Sequence, residues 1–223
     1  MSGLEASYLQ SVAPALRHAP YIGAVHASAR RAFTVFLAVV LLVPLFAVTA
    51  MADVTPGVYR FVPDRAQVRF VVSQDSRRTG AQMSFADGEI TFGSGGVVTG
   101  GQASIDARSV SSKSSGTVST LKGRFGFDVA KYPSIRFRAT GGSIKGDRAM
   151  LSGILTIKGV SHPVEFTGEV LRNQPRRLAI RLEGTVDRTK FGITAGRPLY
   201  GKDAKIILRV IAVRDRNGNT RAG

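Results

Sequence analysis

The sequence predicts an all-β domain over residues 53–223, folded as a closed antiparallel barrel of about eight strands with one short helix. Three observations predict this fold class. Apolar and polar residues alternate in successive short segments, which is typical of strands with one buried face. Turn-forming residues are frequent, with 25 Gly and 9 Pro in the 223-residue chain. Outside one short stretch, this region lacks the apolar repeat of helices.

In the first half of the domain, residues 66–73 show the clearest alternation. Asp87-Gly88 predicts a turn between two short strands. Gly100-Gly101, within a longer strand, predicts a bulge or sharp bend of the kind that barrel corners require. The strands predicted in this half span residues 58–62, 66–73, 81–85, 89–92 and 97–108, with a loop over 74–79.

The segment 109–127 begins rich in Ser and Thr and lacks this alternation, so a loop and a short helix are predicted there. The second half returns to strands, and its clearest element is a hairpin over 151–169. Leu155 and Ile157 share the inner face of its first strand, and Gly159 has the backbone freedom that a tight turn needs. The other predictions are strands over 134–140, 149–158, 160–171, 178–186 and 204–213, and a loop over 188–201.

These strands, each with one apolar face, favour an antiparallel sheet. Closure into a barrel leaves no exposed sheet edges, and a barrel of about eight strands has room for a small ligand. A β-sandwich is the structural alternative, because it produces nearly the same periodicity.

Residues 1–52 have the pattern of a secretory signal peptide with a long N-terminal region. Arg30-Arg31 precedes an apolar stretch over 32–48, and Ala50 and Ala52 supply small residues before Asp53. We therefore expect cleavage after Ala52 and a periplasmic or secreted protein. The alternative is that residues 32–48 are retained as a membrane anchor, since their length is near the lower limit for a spanning helix.

The chain has a formal net charge of +16 and contains no Cys. Strong positive charge favours anionic partners, such as a membrane surface. Nucleic acid is a poor match, because the basic residues are spread over all the predicted strands and export is expected. The absence of Cys excludes disulfides and thiolate metal ligands. The sequence is compatible with a homodimer.

Residues 53–223 contain no pattern that supports catalysis. His162 is the only His in this region and lies in the predicted hairpin. A cluster of His ligands for a metal is therefore excluded, and a nucleophile–base triad would depend on this one residue. We predict a protein that is not an enzyme, with no catalytic residue, no metal and no cofactor.

The apolar faces of a closed barrel enclose either packed side chains or a ligand. An apolar pocket with few polar groups suits a long hydrocarbon chain, whereas the alternative is an ordinary filled core. The candidate pocket residues are Phe70, Val72, Phe85, Phe127, Phe137, Leu155, Phe166, Phe191 and Leu208.

Three basic residues, Arg124, Arg188 and Lys190, are candidates for binding a phosphate or carboxylate head group through charge-assisted hydrogen bonds. Solvated charge is the alternative for each of them. For Arg188 a third hypothesis is internal pairing that holds its loop in place.

Four stretches carry recognisable motifs. Residues 153–164 read GILTIKGVSHPV, and residues 186–193 read VDRTKFGI. Residues 59–70, YRFVPDRAQVRF, and 121–133, LKGRFGFDVAKYP, contain weaker ones. In this order and spacing they resemble the YceI-like family of lipid- or polyisoprenoid-binding proteins, and the resemblance covers essentially all of residues 58–213.

The resemblance implies a lipocalin-like barrel with a long apolar pocket, export to the periplasm, and a bound isoprenoid or similar amphiphile. Val118 and Thr120 replace an Asp and a His that the family usually has before its helix, and Gly126 replaces an aromatic residue. Polar contacts near the pocket mouth therefore differ from the family pattern, so the exact identity of the ligand is not carried over from the family.

The resulting hypothesis is an exported protein that holds an isoprenoid or fatty amphiphile for storage or shuttling near the membrane. The alternative is a filled barrel that binds envelope components through its basic outer surface.

Overall fold

The computed structural model describes residues 54–216, and this range folds into nine β-strands, one α-helix and three short 3-10 helices. The helix α1 spans Ser115–Lys122, and the 3-10 helices span Pro63–Arg65, Ser94–Gly96 and Arg188–Phe191. The strands are β1 (Gly57–Phe61), β2 (Gln67–Gln74), β3 (Arg77–Phe92), β4 (Val98–Ser111), β5 (Ser134–Lys145), β6 (Arg148–Ile157), β7 (Val160–Gln174), β8 (Arg177–Asp187) and β9 (Asp203–Arg214).

The strands form one antiparallel sheet that closes on itself. The hydrogen-bonded order runs β2-β9-β8-β7-β6-β5-β4-β3, and β3 pairs with β2 again. These eight strands make a complete barrel, which confirms the predicted fold class and excludes the sandwich. Their inward residues form a single apolar core that includes Val68, Ile135 and Leu182.

The strands β1 and β2 occupy the same place in the barrel wall at different heights. β1 pairs with the last residues of β3 and β9, whereas β2 pairs with the first residues of both. A 3-10 helix with Pro63 in its first turn separates them. Pro lacks a backbone N–H and cannot donate to a β-ladder, so its position suits this break.

The predicted hairpin is formed by β6 and β7. Its turn is Lys158-Gly159, in which both residues have positive φ values of 52° and 78°, as expected for a two-residue turn that matches strand twist. Ile157 pairs with Val160 across the turn, and Leu155 is buried on the inner face as predicted.

The prediction of a turn at Asp87-Gly88 is wrong. Both residues lie within β3, and a register shift relative to β4 between Phe85 and Asp87 marks a bulge. The ring of Phe61 fills the place that a Cβ on Gly88 would take. Gly88 therefore permits a close ring contact, and this tertiary contact is not visible in the local sequence. The predicted loop over 74–79 is also shorter than expected, because β2 and β3 are separated only by residues 75–76.

The bulge expected near Gly100 is present. Thr91 pairs with Gly100 and Phe92 pairs with Val98, so Thr99 is the extra residue on β4. The added residue bends the strand where the chain turns between β3 and β4.

The helix α1 lies within the segment that was predicted to hold one. The Ser114 hydroxyl accepts a hydrogen bond from the backbone N–H of Thr117 at 3.4 Å and caps its first turn. Val118 and Leu121 are half-buried and pack against the barrel core. The helix thus covers one end of the barrel, although none of its residues is fully buried.

The barrel has two distinct ends. We call the end with α1, the β6–β7 turn and the segments 122–133 and 188–202 the mouth end. The opposite end carries the β3–β4, β5–β6 and β7–β8 turns. The signal segment predicted over 1–52, including its alternative as an anchor, lies outside the described residues. Within 54–216, no helix has both the length and the apolar character needed to cross a membrane.

Candidate ligand cavity

Two cavities lie along the barrel interior. The first has a volume of about 50 Å³, and its wall is almost wholly apolar, with Glu89 and Gln102 as its polar residues among those described. The second has a volume of about 80 Å³ and lies at the mouth end, because α1 contributes Thr117 and Leu121 to its wall. Both fall below the several hundred Å³ of a typical small-molecule pocket.

Phe70 borders both cavities. Its ring centroid lies 5.6 Å from that of Phe127, which lines the second cavity. The two rings are tilted by 52°, and their separation is within the usual range for a packed aromatic pair. Phe70 therefore separates two apolar spaces that otherwise follow one another inside the barrel.

Glycines on neighbouring strands make room for the rings in the first cavity. A Cβ on Gly153 would overlap the Phe137 ring, and a Cβ on Gly184 would lie 2.7 Å from a ring carbon of Phe166. The rings of Phe137 and Phe166 pack edge to face, with centroids 5.8 Å apart. The first Gly of the GILTIKGVSHPV motif thus has a steric role in the interior.

All nine candidate pocket residues line one of the two cavities. Those on the first cavity only are Phe85, Phe137, Leu155, Phe166 and Leu208, those on the second only are Val72, Phe127 and Phe191, and Phe70 lines both. All nine side chains lie in the barrel interior. That they contact a ligand stays a prediction.

The guanidinium of Arg188 is buried and bound to backbone carbonyls of the loop that follows it. Its Nε donates to Gly201 O at 2.8 Å, and Nη1 donates to Ala195 O at 2.7 Å and Ile193 O at 3.2 Å. Nη2 donates to Tyr200 O at 3.1 Å. The planar fork of Arg suits such divergent acceptors, and Arg188 holds residues 193–201 against the barrel.

Burial is the main cause of a lowered pKa for Arg188, and the neighbouring charge of Arg197 lowers it further. Asp187 caps the following 3-10 helix by accepting hydrogen bonds from the N–H and hydroxyl of Thr189. These bonds lower the pKa of the Asp187 carboxyl. The motif VDRTKFGI thus acts as a loop-building element. Arg188 also lines the second cavity, and its role as a head-group ligand stays a prediction.

Arg124 and Lys190 have a different environment from Arg188, because both side chains are exposed at the mouth end. The guanidinium of Arg124 lies 4.9 Å from the ring centroid of Phe125. The carbonyl of Lys190 is hydrogen-bonded to Nε2 of His162 at 3.2 Å. Both remain accessible to an anionic group, so their role as head-group ligands stays a prediction.

His162 packs against Phe191, with the two ring centroids 5.0 Å apart and nearly perpendicular. Within residues 54–216, no group of three or more His, Cys, Asp or Glu side chains is placed to hold a metal ion. His162 therefore packs the β6–β7 turn against the loop at 188–192.

Sequence reasoning missed several residues of the cavity walls. Phe61 closes the first cavity next to Gly88, and Leu121 and Tyr200 close the second. Phe61 belongs to a strand too short to show alternation, and Leu121 and Tyr200 lie in non-strand segments where period-two reasoning does not apply.

A family model for the YceI-like domain matches residues 59–212. This chain belongs to the YceI-like family. The matched range includes the pairs β2–β3 and β2–β9, which complete the barrel, together with α1 and the loop that Arg188 holds. No curated protein matches the chain significantly.

Solved structures with the same fold have low sequence identity to the YceI-like domain of this chain. BcnA of Burkholderia cenocepacia is 19% identical with a TM-score of 0.59, over 68% of this chain and 98% of BcnA. A polyisoprenoid binding domain from Saccharophagus degradans, implicated in plant cell wall breakdown, is 14% identical with a TM-score of 0.54, over 72% of this chain and 100% of that domain. The Campylobacter jejuni YceI protein is 20% identical with a TM-score of 0.53, over 64% and 88%. At these identities the likeness establishes the fold.

Proposed function

We propose that this YceI-like protein binds an isoprenoid or similar long-chain amphiphile inside its barrel and is not an enzyme. The observation that carries the proposal is the pair of apolar cavities that follow one another along the interior and share Phe70. Membership of the YceI-like family and the likeness to a polyisoprenoid binding domain support it.

Hydrophobic burial supplies enough free energy for such binding without a catalytic or metal group. Each buried methylene contributes about 0.8 kcal/mol, so several isoprene units give strong binding even after the cost of association. The cavities are small as they stand, so a long chain has to displace aromatic side chains. Phe61, Phe70 and Phe137 are only partly buried, which fits side chains that border an open space.

We further propose that the protein acts after export to the periplasm or the cell exterior, where it stores or carries the amphiphile near a membrane. The apolar stretch over 32–48 and the small residues before Asp53 support export. The net charge of +16 favours attraction to anionic lipid surfaces.

Native mass spectrometry of the protein purified from an exporting bacterial host tests the proposal, followed by solvent extraction. We expect a discrete added mass that is released as an isoprenoid or fatty species. An unliganded mass, with no uptake of added quinones or polyprenyl phosphates, would contradict the proposal.

The substitution Phe137→Trp localises the bound species. The larger ring fills the first cavity, so we expect loss of the added mass with a largely retained melting temperature. Leu171→Trp is the matched control, because Leu171 is 45% exposed on the outside of β7. Unchanged lipid content in Phe137→Trp with a normal melting temperature would place the ligand elsewhere.

The small cavity volumes favour a second candidate, a filled barrel that contacts envelope components through its basic outer surface. If the interior is a filled core, Phe137→Trp overpacks it and lowers the free energy of unfolding by about 1–3 kcal/mol. The protein would then be free of lipid both before and after the substitution.

A further inference from the structure

We propose that the mouth end of the barrel docks on an anionic lipid bilayer, with Phe125 and Leu199 inserted at the lipid interface. The docking surface, here called the mouth face, is the exposed side of the segments 122–133 and 188–202. This inference rests on the proposed lipid binding, since it names the surface through which the amphiphile enters.

Two large apolar side chains are exposed on the mouth face. Phe125 and Leu199 are each 58% exposed, the highest values for large hydrophobic residues within 54–216. Neither contributes to the wall of the two cavities described above. Exposed apolar side chains surrounded by polar ones are typical of a surface that binds a membrane or another molecule.

The two segments of the mouth face are fixed to each other. The backbone carbonyl of Phe125 accepts hydrogen bonds from the N–H groups of Thr194 and Ala195, both at 2.9 Å. The Lys158 ammonium donates to Arg124 O at 2.8 Å and to Gly192 O at 3.1 Å. The mouth face is therefore one connected surface, and docking does not require its two loops to be ordered first.

The exposed charge on the two segments that carry these apolar side chains is mostly positive. The two segments carry six exposed basic residues, and Asp128 is the only acidic residue among their described positions. The basic residues are Lys122, Arg124, Lys131, Lys190, Arg197 and Lys202. The opposite end is basic as well, because Lys145, Arg148, Arg172, Arg176 and Arg177 are exposed there beside Asp147. The mouth face is distinguished by combining basic residues with the two most exposed large apolar side chains.

Exposed apolar side chains with Lys and Arg nearby are suited to binding at the lipid–water interface of an anionic bilayer. The apolar groups enter the boundary between head groups and acyl chains, and the basic groups meet lipid phosphates. The second cavity lies directly behind the mouth face, because Phe127, Phe191 and Tyr200 of the same segments line it. Docking in this orientation places the cavity next to the acyl chains.

Tryptophan fluorescence tests the orientation directly, since the chain contains no Trp. The variants Phe125→Trp, Leu199→Trp and Leu171→Trp each report from one position. Leu171 is the matched control, because it is exposed near the opposite end of the barrel. Each protein is mixed with vesicles of phosphatidylcholine alone or with phosphatidylglycerol, and brominated acyl chains serve as quenchers.

We expect quenching and a blue shift at positions 125 and 199 with anionic vesicles, and no change at position 171. Comparable quenching at position 171, or none at positions 125 and 199, would overturn the proposal. Equal quenching with vesicles of phosphatidylcholine alone would also overturn it, because charge would then play no part. All three variants retain residues 1–53, so any binding through the apolar stretch 32–48 is common to them.

The double substitution Lys131→Gln and Arg197→Gln tests the electrostatic part. A basic residue at an anionic surface improves binding by a factor of about five, so we expect partitioning to fall about 25-fold. Uptake of lipid added in detergent is measured on the same variants. If the protein takes up lipid normally but does not bind vesicles, only the docking proposal is rejected. If it takes up no lipid, the proposed function is rejected.

Discussion

The ring of Phe70 lies against that of Phe127, with their centroids 5.6 Å apart, at the boundary between the two interior cavities. Phe70 belongs to β2, and Phe127 belongs to the segment that follows α1. A wall residue of the barrel thus meets a residue of its mouth. Phe70 thus stands between the second cavity at the mouth end and the first cavity deeper in the barrel.

Phe70→Leu is expected to join the two cavities and shift the bound lipids towards longer chains. The shorter side chain removes the shared wall, at a cost of about 1–3 kcal/mol in the free energy of unfolding for the lost ring contacts. Mass spectrometry of extracted lipids measures the distribution of chain lengths. Phe85→Leu is the control, because Phe85 lines only the first cavity. The same distribution in both variants would contradict a dividing role for Phe70.

Gly153→Ala is expected to lower the free energy of unfolding by about 1–3 kcal/mol through overpacking. Its Cβ would overlap the Phe137 ring and lie 2.5 Å from the backbone oxygen of Arg138. Chemical denaturation measures the effect. Gly141→Ala on the neighbouring strand is the control, since its Cβ meets nothing within 4 Å.

The double variant Gly153→Ala and Phe137→Leu separates the two contacts of Gly153. Shortening the ring relieves one clash, whereas the Arg138 carbonyl stays in place, so we expect partial recovery of stability. Full recovery would show that the backbone contact has no energetic effect.

Arg188→Lys is expected to destabilise the protein by about 2–4 kcal/mol, because a Lys ammonium cannot reach the four carbonyls that the guanidinium now satisfies. Urea denaturation measures the change. Arg197→Lys in the same loop is exposed, and its effect is expected to stay within about 0.5 kcal/mol. Equal effects of the two substitutions would show that the buried hydrogen bonds contribute little.

Glu183 is expected to make stability depend on pH in the acid range. The Lys205 ammonium, 2.6 Å away, is the main cause of the lowered pKa of this carboxyl, and Arg181 adds to it. Because the pKa of Glu183 is lowered in the folded state, its carboxylate contributes fully to the free energy of unfolding at pH values above the usual pKa range of glutamate. This contribution is lost as the pH falls through the folded-state pKa.

Glu183→Gln is therefore expected to be less stable than the parent protein at neutral pH, by at most about 1 kcal/mol for a partly exposed pair. The difference should shrink on acidification. Thermal melts from neutral to acid pH measure it, with Glu169→Gln on the adjacent strand as the control. Glu169 is exposed and forms no ion pair with the described side chains. A difference that stays constant with pH would contradict the assignment.

The strands and their inward residues could be predicted because alternation is a local property of the chain. Leu155 and Phe166 face the interior as their strands predicted. In contrast, Gly88 looked like part of a turn, because the ring that it accommodates belongs to Phe61, 27 positions earlier in the chain. The residues next to a glycine in the chain do not predict which distant aromatic ring packs against it.

Arg188 shows the same limit at the mouth end. Its position in a family motif set it apart from the other basic residues, and internal pairing that holds its loop was one of three hypotheses for its role. The acceptors that it binds are backbone carbonyls. Every residue has a backbone carbonyl, so no pattern of side chains predicts which ones Arg188 binds. Only the folded path of residues 193–201 brings these carbonyls around one guanidinium.

The sequence by itself determined the all-β antiparallel class, the β6–β7 hairpin and the apolar character of the inner strand faces, since each depends on the order of residue types along a strand. Tertiary structure decided that the sheet closes into a barrel and not a sandwich, and how β1 and β2 share one place in the wall. It also decided that Phe70 borders two interior cavities of about 50 and 80 Å³. Cavity size is the small difference between the space inside the wall and the volume of the side chains that fill it. That difference depends on strand pairing and ring orientation, which residue order along a strand does not specify.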